Sequence, residues 1–243
     1  MRLLVFSKRT MEEILRDPLN LAFGLGFPVV LLLLLSAIQA NVPVSLFEIQ
    51  RLAPGIAVFG LAFLTLFSAS LVAKDRESAF LARLYTTPLT AADFILGYLL
   101  PILPIALGQS VVCYGLGALL GLRITADLLL ALALMLPIAL FFISVGLLCG
   151  SVLNVKQAGA VCGALFTNLS AWLSGTWFDL ELVGGAFRKI AYALPFVHCV
   201  ELERAAVSGD LGEIWPHLVW VLGYGAAAAA AAVALFLRQM KRQ

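Results

Sequence analysis

Six long stretches of this chain carry no Asp, Glu, Lys or Arg, and they leave few alternatives to a membrane-embedded helical bundle. They run from Pro18 to Phe47, Leu52 to Ala73, Phe94 to Leu122, Leu128 to Val155, Gln157 to Phe178 and Ile214 to Leu237. Each exceeds the roughly 20 residues that a helix needs to cross a bilayer, and a helix satisfies its own backbone where no water can reach. At 62% apolar and 12% charged over 243 residues, the composition excludes a soluble domain. The expected architecture is an all-α polytopic membrane protein, a single domain over 1–243 with six spanning helices.

The segments between these stretches are equally informative. Residues 1–17 interleave Arg2, Lys8, Arg9, Glu12, Glu13, Arg16 and Asp17 with Leu3, Phe6, Met11, Ile14 and Leu15, the pattern of an amphipathic surface helix and not of a cleavable export signal. The 74–88 insert reads as a second short amphipathic helix, opening with Asp75 and Glu77 and ending near Arg83 as a helix dipole favours. Phe80, Leu81 and Leu84 form its apolar stripe, Arg76 and Arg83 lie off it, and Pro88 stops it. Thr90 to Asp93 then reads as a capping box for the next helix. Such a helix, held on the membrane surface between two spans, is a docking element for a partner; an ordinary solvated loop is the alternative.

Placing both termini in the cytoplasm puts eleven of the 16 Lys and Arg residues inside. The 1–17 helix and the insert then face the cytoplasm, and the 179–213 loop is external. The apolar centre of that loop, Ile190 to Val200, is too short to span and is broken by Pro195, with Gly184, Gly185 and Gly209 flanking it. This predicts a re-entrant helical hairpin with Pro195 and Phe196 at its tip, or else a helix lying on the outer surface. In the fifth stretch Gly159, Gly163, Thr167, Ala171 and Gly175 recur every four residues, and Gly146 and Gly150 repeat the spacing in the fourth, giving small faces for close helix approach.

Much chemistry is absent. The sequence contains no phosphate-binding loop, no zinc-protease helix motif and no nucleophile elbow. His198 and His217 are expected at the outer side as interfacial or hydrogen-bonding residues, and no metal or catalytic set is expected. Of the four cysteines only Cys199 falls in a loop, so no disulfide framework follows. The net charge of +2 is explained by membrane orientation and implies no nucleic acid. Without Asp, Glu, Lys or Arg inside the spans, an ion-coupled carrier or channel is disfavoured. A polytopic chain with a docking helix and no energy source of its own suggests a separate motor subunit.

Asp75-Arg76-Glu77 through Leu84, Thr87-Pro88-Leu89, Ile95-Leu96-Gly97, the six-helix pattern and the late external hairpin together resemble the permease subunits of ATP-binding-cassette exporters. The class is that of drug, polysaccharide and lipid export, with the type V fold. Pro54-Gly55-Ile56, Asn168-Leu169-Ser170-Ala171-Trp172 and Leu194-Pro195-Phe196 are similar to bacterial multidrug-type members. The resemblance covers essentially the whole chain. It implies that 1–17 is the connecting helix, with Arg9, Glu12, Glu13 and Arg16, in a multi-pass protein of the cytoplasmic (inner) membrane. It implies that 76–86 is the coupling helix in a groove of the ATPase, with Asp75, Arg76, Glu77, Phe80, Arg83, Leu84 and Pro88 as coupling residues. Two permeases, identical or homologous, would pair with two separate ATPase chains that bind ATP and Mg, while this chain binds no cofactor. Family members often have lysine after the glycine matching Gly97; here Tyr98 stands there, a residue at home at an interface.

The resemblance further implies a central cavity at the dimer axis, bordered by the second and fifth helices. Phe59, Phe63 and Phe67 on one and Asn168 and Trp172 on the other are the expected substrate path for a hydrophobic or amphipathic compound, with Pro195 and Phe196 as an external gate. Phenylalanines facing lipid or packing inside the chain are the plainer alternative. The rival function is a membrane scaffold or assembly factor without transport activity.

Overall fold

The structure is a computed structural model that describes residues 2–42, 45–78 and 90–240. Among these residues every regular element is helical. In order they are α1 (Arg2–Leu15), α2 (Pro18–Leu21), a π-helical segment Ala22–Gly26, α3 (Phe27–Asn41), a 3-10 turn Ser45–Phe47, α4 (Ile49–Glu77), α5 (Ala91–Leu119) and α6 (Asp127–Val152). Then follow α7 (Val155–Ala158), a second π-helical segment Gly159–Phe166, α8 (Thr167–Leu173), α9 (Leu180–Val183), α10 (Gly185–Ala193), α11 (Pro195–Ser208) and α12 (Leu211–Met240). The end of the bundle holding α1 and the close of α12 is termed proximal, the other distal.

Among the described residues five helices are long and apolar enough to cross a membrane: Ala22–Asn41, Ile49–Glu77, Ala92–Leu119, Asp127–Val152 and Leu211–Arg238. The fifth predicted span, Gln157 to Phe178, is not a continuous α-helix but α7, the π segment and α8 in succession. Its composition explains the break. Gly159, Ala160, Gly163 and Ala164 impose little side-chain preference, and Thr167 donates its hydroxyl to the carbonyl of Cys162, five residues back, at 3.0 Å.

Helix α4 is the axle of the bundle, with 83% of its apolar window buried against 22% for the first candidate span and 11% for the last. Its tightest neighbour is α6. A Cβ added at Gly146 would stand 2.5 Å from the Thr65 carbonyl oxygen, and one at Gly150 would stand 2.5 Å from that of Ala69. The two backbones are therefore as close as the Gly146/Gly150 spacing suggests, and Thr65 donates across the contact to the carbonyl of Phe142 at 2.9 Å. Most of the small-residue row of the fifth stretch turns inward, with Thr167, Ala171 and Gly175 buried and Gly163 against Leu66, but Gly159 is exposed with nothing packed on it.

The 179–213 region is a hairpin of unequal arms. Gly184, Gly185 and Gly209 adopt φ of 60°, 57° and 76°, the left-handed region that glycine enters without strain, and Pro195 occupies the first turn of α11. Arm α10 exposes Ile190, whereas arm α11 is buried against α4, α6 and α12. Cys199 is accordingly fully buried in a helix, not in a loop. At the tip, Tyr224 donates to the carbonyl of Ala193 at 2.7 Å. Tyr224 lies about 20 Å along α12 from its distal start, at the usual helical rise, so the hairpin descends that far between the helices. Phe196 there is 6% exposed and meets Phe166 edge-on at 5.3 Å.

The glycine contact gives a graded expectation. Gly150→Ala should lower the yield of monodisperse protein and its melting temperature. Gly108→Ala, where an added Cβ meets nothing within 4 Å, should be neutral or stabilising by about 0.5 to 1 kcal/mol. Thermal unfolding in detergent or nanodiscs distinguishes the two.

Candidate functional site

At the proximal end the chain buries a charge. Asp75, in the last turn of α4, is 2% exposed. It accepts two hydrogen bonds from the guanidinium of Arg9 on α1, at 2.6 and 2.7 Å, and one from the hydroxyl of Tyr98 on α5, at 2.5 Å. The fork of arginine matches the two carboxylate oxygens, which is the geometry that best offsets the cost of desolvating the pair. Hydrogen bonding to Asp75 holds Arg9 even more firmly protonated. Arg9 also meets Glu13 one turn on at 2.9 Å, and Lys74 lies 3.7 Å from Asp17. Despite its arginine, the Glu13 carboxyl is raised above its ordinary value, because burial outweighs the attraction. Glu12 on α1 and Arg16, just past its end, are exposed.

Phe6 seats this arrangement. Its ring packs where a side chain at Gly97 would stand, between Phe94 at 5.9 Å and Tyr98 at 5.0 Å, and Phe94 stacks on Phe236 of α12 at 3.8 Å. Tyr98 is thus a fully buried partner of Asp75 and not an interfacial residue.

The neighbours of Asp75 reach the other way. Arg76 donates to three carbonyls at the C-terminus of α6: those of Ser151, of Val152 at 3.2 Å and of Leu153 at 2.8 Å. Glu77 accepts from the backbone N–H of Val155, the first residue of α7, at 3.0 Å. Lys74 to Glu77 therefore close a spanning helix and do not open a surface helix, so the predicted acid-first dipole arrangement is reversed for Asp75 and Glu77. The misreading has a physical source: a buried, paired carboxylate looks the same in sequence as a solvated one. Phe80, Arg83, Leu84 and Pro88 lie outside the described residues. The predicted capping box is present, with Asp93 N–H on the Thr90 hydroxyl at 3.2 Å and Thr90 N–H on Asp93 at 3.0 Å.

The expected substrate-path residues do not share one surface of the chain. Phe59 and Phe67 are buried, Phe59 against Phe27 and Trp177 and Phe67 against Gly24, while Phe63 is half-buried between Phe27 and Phe59. Asn168 and Trp172 instead face outward with Leu165 and Leu169, Trp172 being 56% exposed, and Asn168 spends its amide on the Ala164 carbonyl at 2.7 Å.

Three polar pins hold α11. His198 Nε2 faces the Tyr192 carbonyl at 3.0 Å, so it carries the proton, and its Nδ1 then accepts from His217 Nδ1 at 2.8 Å. Glu203, fully buried, accepts from Tyr114 of α5 at 2.5 Å, and its other oxygen has no partner. Arg204 reaches the carbonyls of Gly175 at 3.0 Å and Arg51 at 3.4 Å, and Glu201 at 2.8 Å. The distal end opens as a basin of about 610 Å³ whose lining includes Arg51, Arg123, Asp127, Arg204 and Ser208. The two histidines are thus a packed hydrogen-bonded pair, and no group of three metal-ligating side chains occurs among the described residues.

Two outcomes follow. Removing Arg9 leaves Asp75 buried without its counter-charge, so Arg9→Ala should cost about 2 kcal/mol after allowance for solvent at Arg9, and Arg16→Ala far less, read as melting temperature. Burial raises the Glu203 carboxyl from its ordinary 4.5 to about 8, against the pull of Tyr114. The folded state therefore holds this proton more tightly than the unfolded one, so stability declines as pH rises between those values. Glu203→Gln should flatten that decline, with its largest stabilising effect near pH 8 and above.

A sequence comparison with curated proteins gives no match. The model of the ABC-2 type transporter family matches residues 1–207, which takes in α1, the buried Asp75 cluster and nearly all of the α10–α11 hairpin. On that match over most of its length, the chain belongs to the ABC-2 type transporter family, as a multi-pass membrane protein.

Proposed function

We propose that this protein is the non-catalytic permease subunit of an ATP-driven exporter, working with a separate ATPase that carries ATP and Mg. The observation that carries the reading is the buried Arg9–Asp75–Tyr98 cluster, which locks an amphipathic helix across the proximal ends of two candidate spans. A surface helix fastened by a charge pair can pass a push from a soluble motor into the bundle, whereas one held by apolar contact alone can slide. In this reading α7 to α8 completes a sixth span, both termini are cytoplasmic, and the membrane is the inner one. Residues 74–88 then lead the chain to the ATPase, and the permease works as a dimer of copies or homologues.

The exposed Asn168 and Trp172 would border the path between two permeases, with Phe59 and Phe67 as packing inside the chain. A surface of one amide and large apolar groups suits a hydrophobic or amphipathic cargo. The depth of the α10–α11 tip supports an external gate at Pro195 and Phe196. A scaffold without transport activity is the competing function.

Purification with the copurifying ATPase, followed by a screen of amphipathic compounds for altered ATP turnover, tests this reading. The exporter should bring an ATPase whose rate responds to a subset of compounds, and the scaffold should bring none. Trp172→Ala and Asn168→Ala should change that response, whereas Leu129→Ala, on the exposed face of α6, should not. In intact cells, a membrane-impermeant thiol reagent should label Ser208→Cys quickly and Phe196→Cys slowly. Equal rates at both positions would remove the re-entrant gate.

A further inference from the structure

The adjacent residues Arg76 and Glu77 straddle the α6–α7 junction. A helix ends with unsatisfied carbonyls and begins with unsatisfied N–H groups, so a cation suits the first and an anion the second. Here one dipeptide supplies both: the Arg76 guanidinium takes the carbonyls of Ser151, Val152 and Leu153, and the Glu77 carboxylate takes the N–H of Val155. The junction already has its own cap, since Asn154 and Gln157 exchange hydrogen bonds at 2.8 and 3.1 Å. Local helix formation therefore does not require Glu77. What Glu77 adds is a connection across 78 residues of sequence between the end of α4 and the start of the helical run Val155 to Leu173.

We propose that Arg76 and Glu77 form a mechanical clamp that makes the α7–π–α8 run move with the insert that follows α4, so that Glu77 acts inside the permease and not on the ATPase. The proposal rests on the exporter reading and deepens it. Beyond Ser78 the chain enters residues 79–89, the stretch proposed to meet the motor. A displacement of that stretch pulls on the last turn of α4, where Asp75 is fixed to α1 and α5 and the next two side chains grip α6 and α7. The gripped run is the one that carries the exposed Leu165, Asn168 and Trp172. Arg76 and Glu77 are positioning residues, since neither reaches the proposed cargo surface.

The test uses the complex of permease and copurifying ATPase in nanodiscs, with a spin label at Leu165→Cys, a site 57% exposed on the gripped run. Addition of ATP with vanadate should change the label's mobility in the parent. Glu77→Ala and Arg76→Ala should reduce that change about tenfold, the scale expected for losing a charge-assisted hydrogen bond, while basal ATP hydrolysis persists. Glu77→Gln keeps an acceptor oxygen for Val155 and should retain most of the response, which separates the clamp from a charge presented to the ATPase. An unaltered response in Glu77→Ala overturns the clamp, as does equal loss in Glu77→Gln and Glu77→Ala. If the parent label fails to respond although the ATPase is active, the clamp is wrong and the exporter reading stands. If no ATPase copurifies, both fall.

Discussion

A carboxylate almost sealed from water governs the proximal half of this molecule. Asp75 accepts both arms of the Arg9 guanidinium, and Arg9 can reach it only if α1 lies against α5 with Phe6 in the notch at Gly97. One desolvated charge thus fixes the position of an entire amphipathic helix that otherwise exposes Leu4, Val5 and Leu15. It also sets the register of α4, because the two residues after it are then presented to α6 and α7. Apolar packing in a membrane discriminates weakly between alternative helix registers, since lipid is nearly as good a neighbour as protein. The charged cluster supplies the discrimination that packing lacks.

The distal half solves a similar problem by different means. The α10–α11 hairpin places backbone and titratable side chains where little water penetrates, and each is met by a specific partner: histidine by histidine and a carbonyl, Glu203 by a tyrosine, Arg204 by two carbonyls and a glutamate. These pins lead to α12, α5 and α4 in turn. The hairpin is consequently attached to several spanning helices and would register relative movement among them.

The sequence disclosed those features whose physical cause is local. The capping box at Thr90 and Asp93 and the small-residue spacing at Gly146 and Gly150 each rest on residues within one or two turns of each other, and the helical hairpin is marked by glycines at its ends. Five of the six predicted spans match candidate membrane-crossing helices among the described residues, as charge-free length alone suggests. The Asp75 cluster was not, because Arg9 and Asp75 are 66 residues apart and their meeting depends on three helices taking one register. Glu203 and Arg204 sit in what reads as an external loop, and nothing in their spacing betrays burial. The π-helical interruption escaped notice because glycine and alanine at four-residue intervals suit an α-helix equally well. Of the candidate path residues, Asn168 and Trp172 face outward, whereas Phe59 and Phe67 are buried inside the chain, a difference that four-residue spacing alone does not encode.

The burial of α4 on nearly every side has a further consequence for how the chain tolerates change over evolutionary time. Gly55, Gly60, Ala57 and Ala62 keep this helix slender, which is what allows so many neighbours to gather round it. Any added volume there must be matched on several helices at once, while exposed positions of the last span, such as Val219 and Leu222, accept a change more readily. Mutational tolerance should therefore increase with distance from the α4 axis and not with position along the chain. Sequence can then drift at the periphery while the axle stays nearly constant.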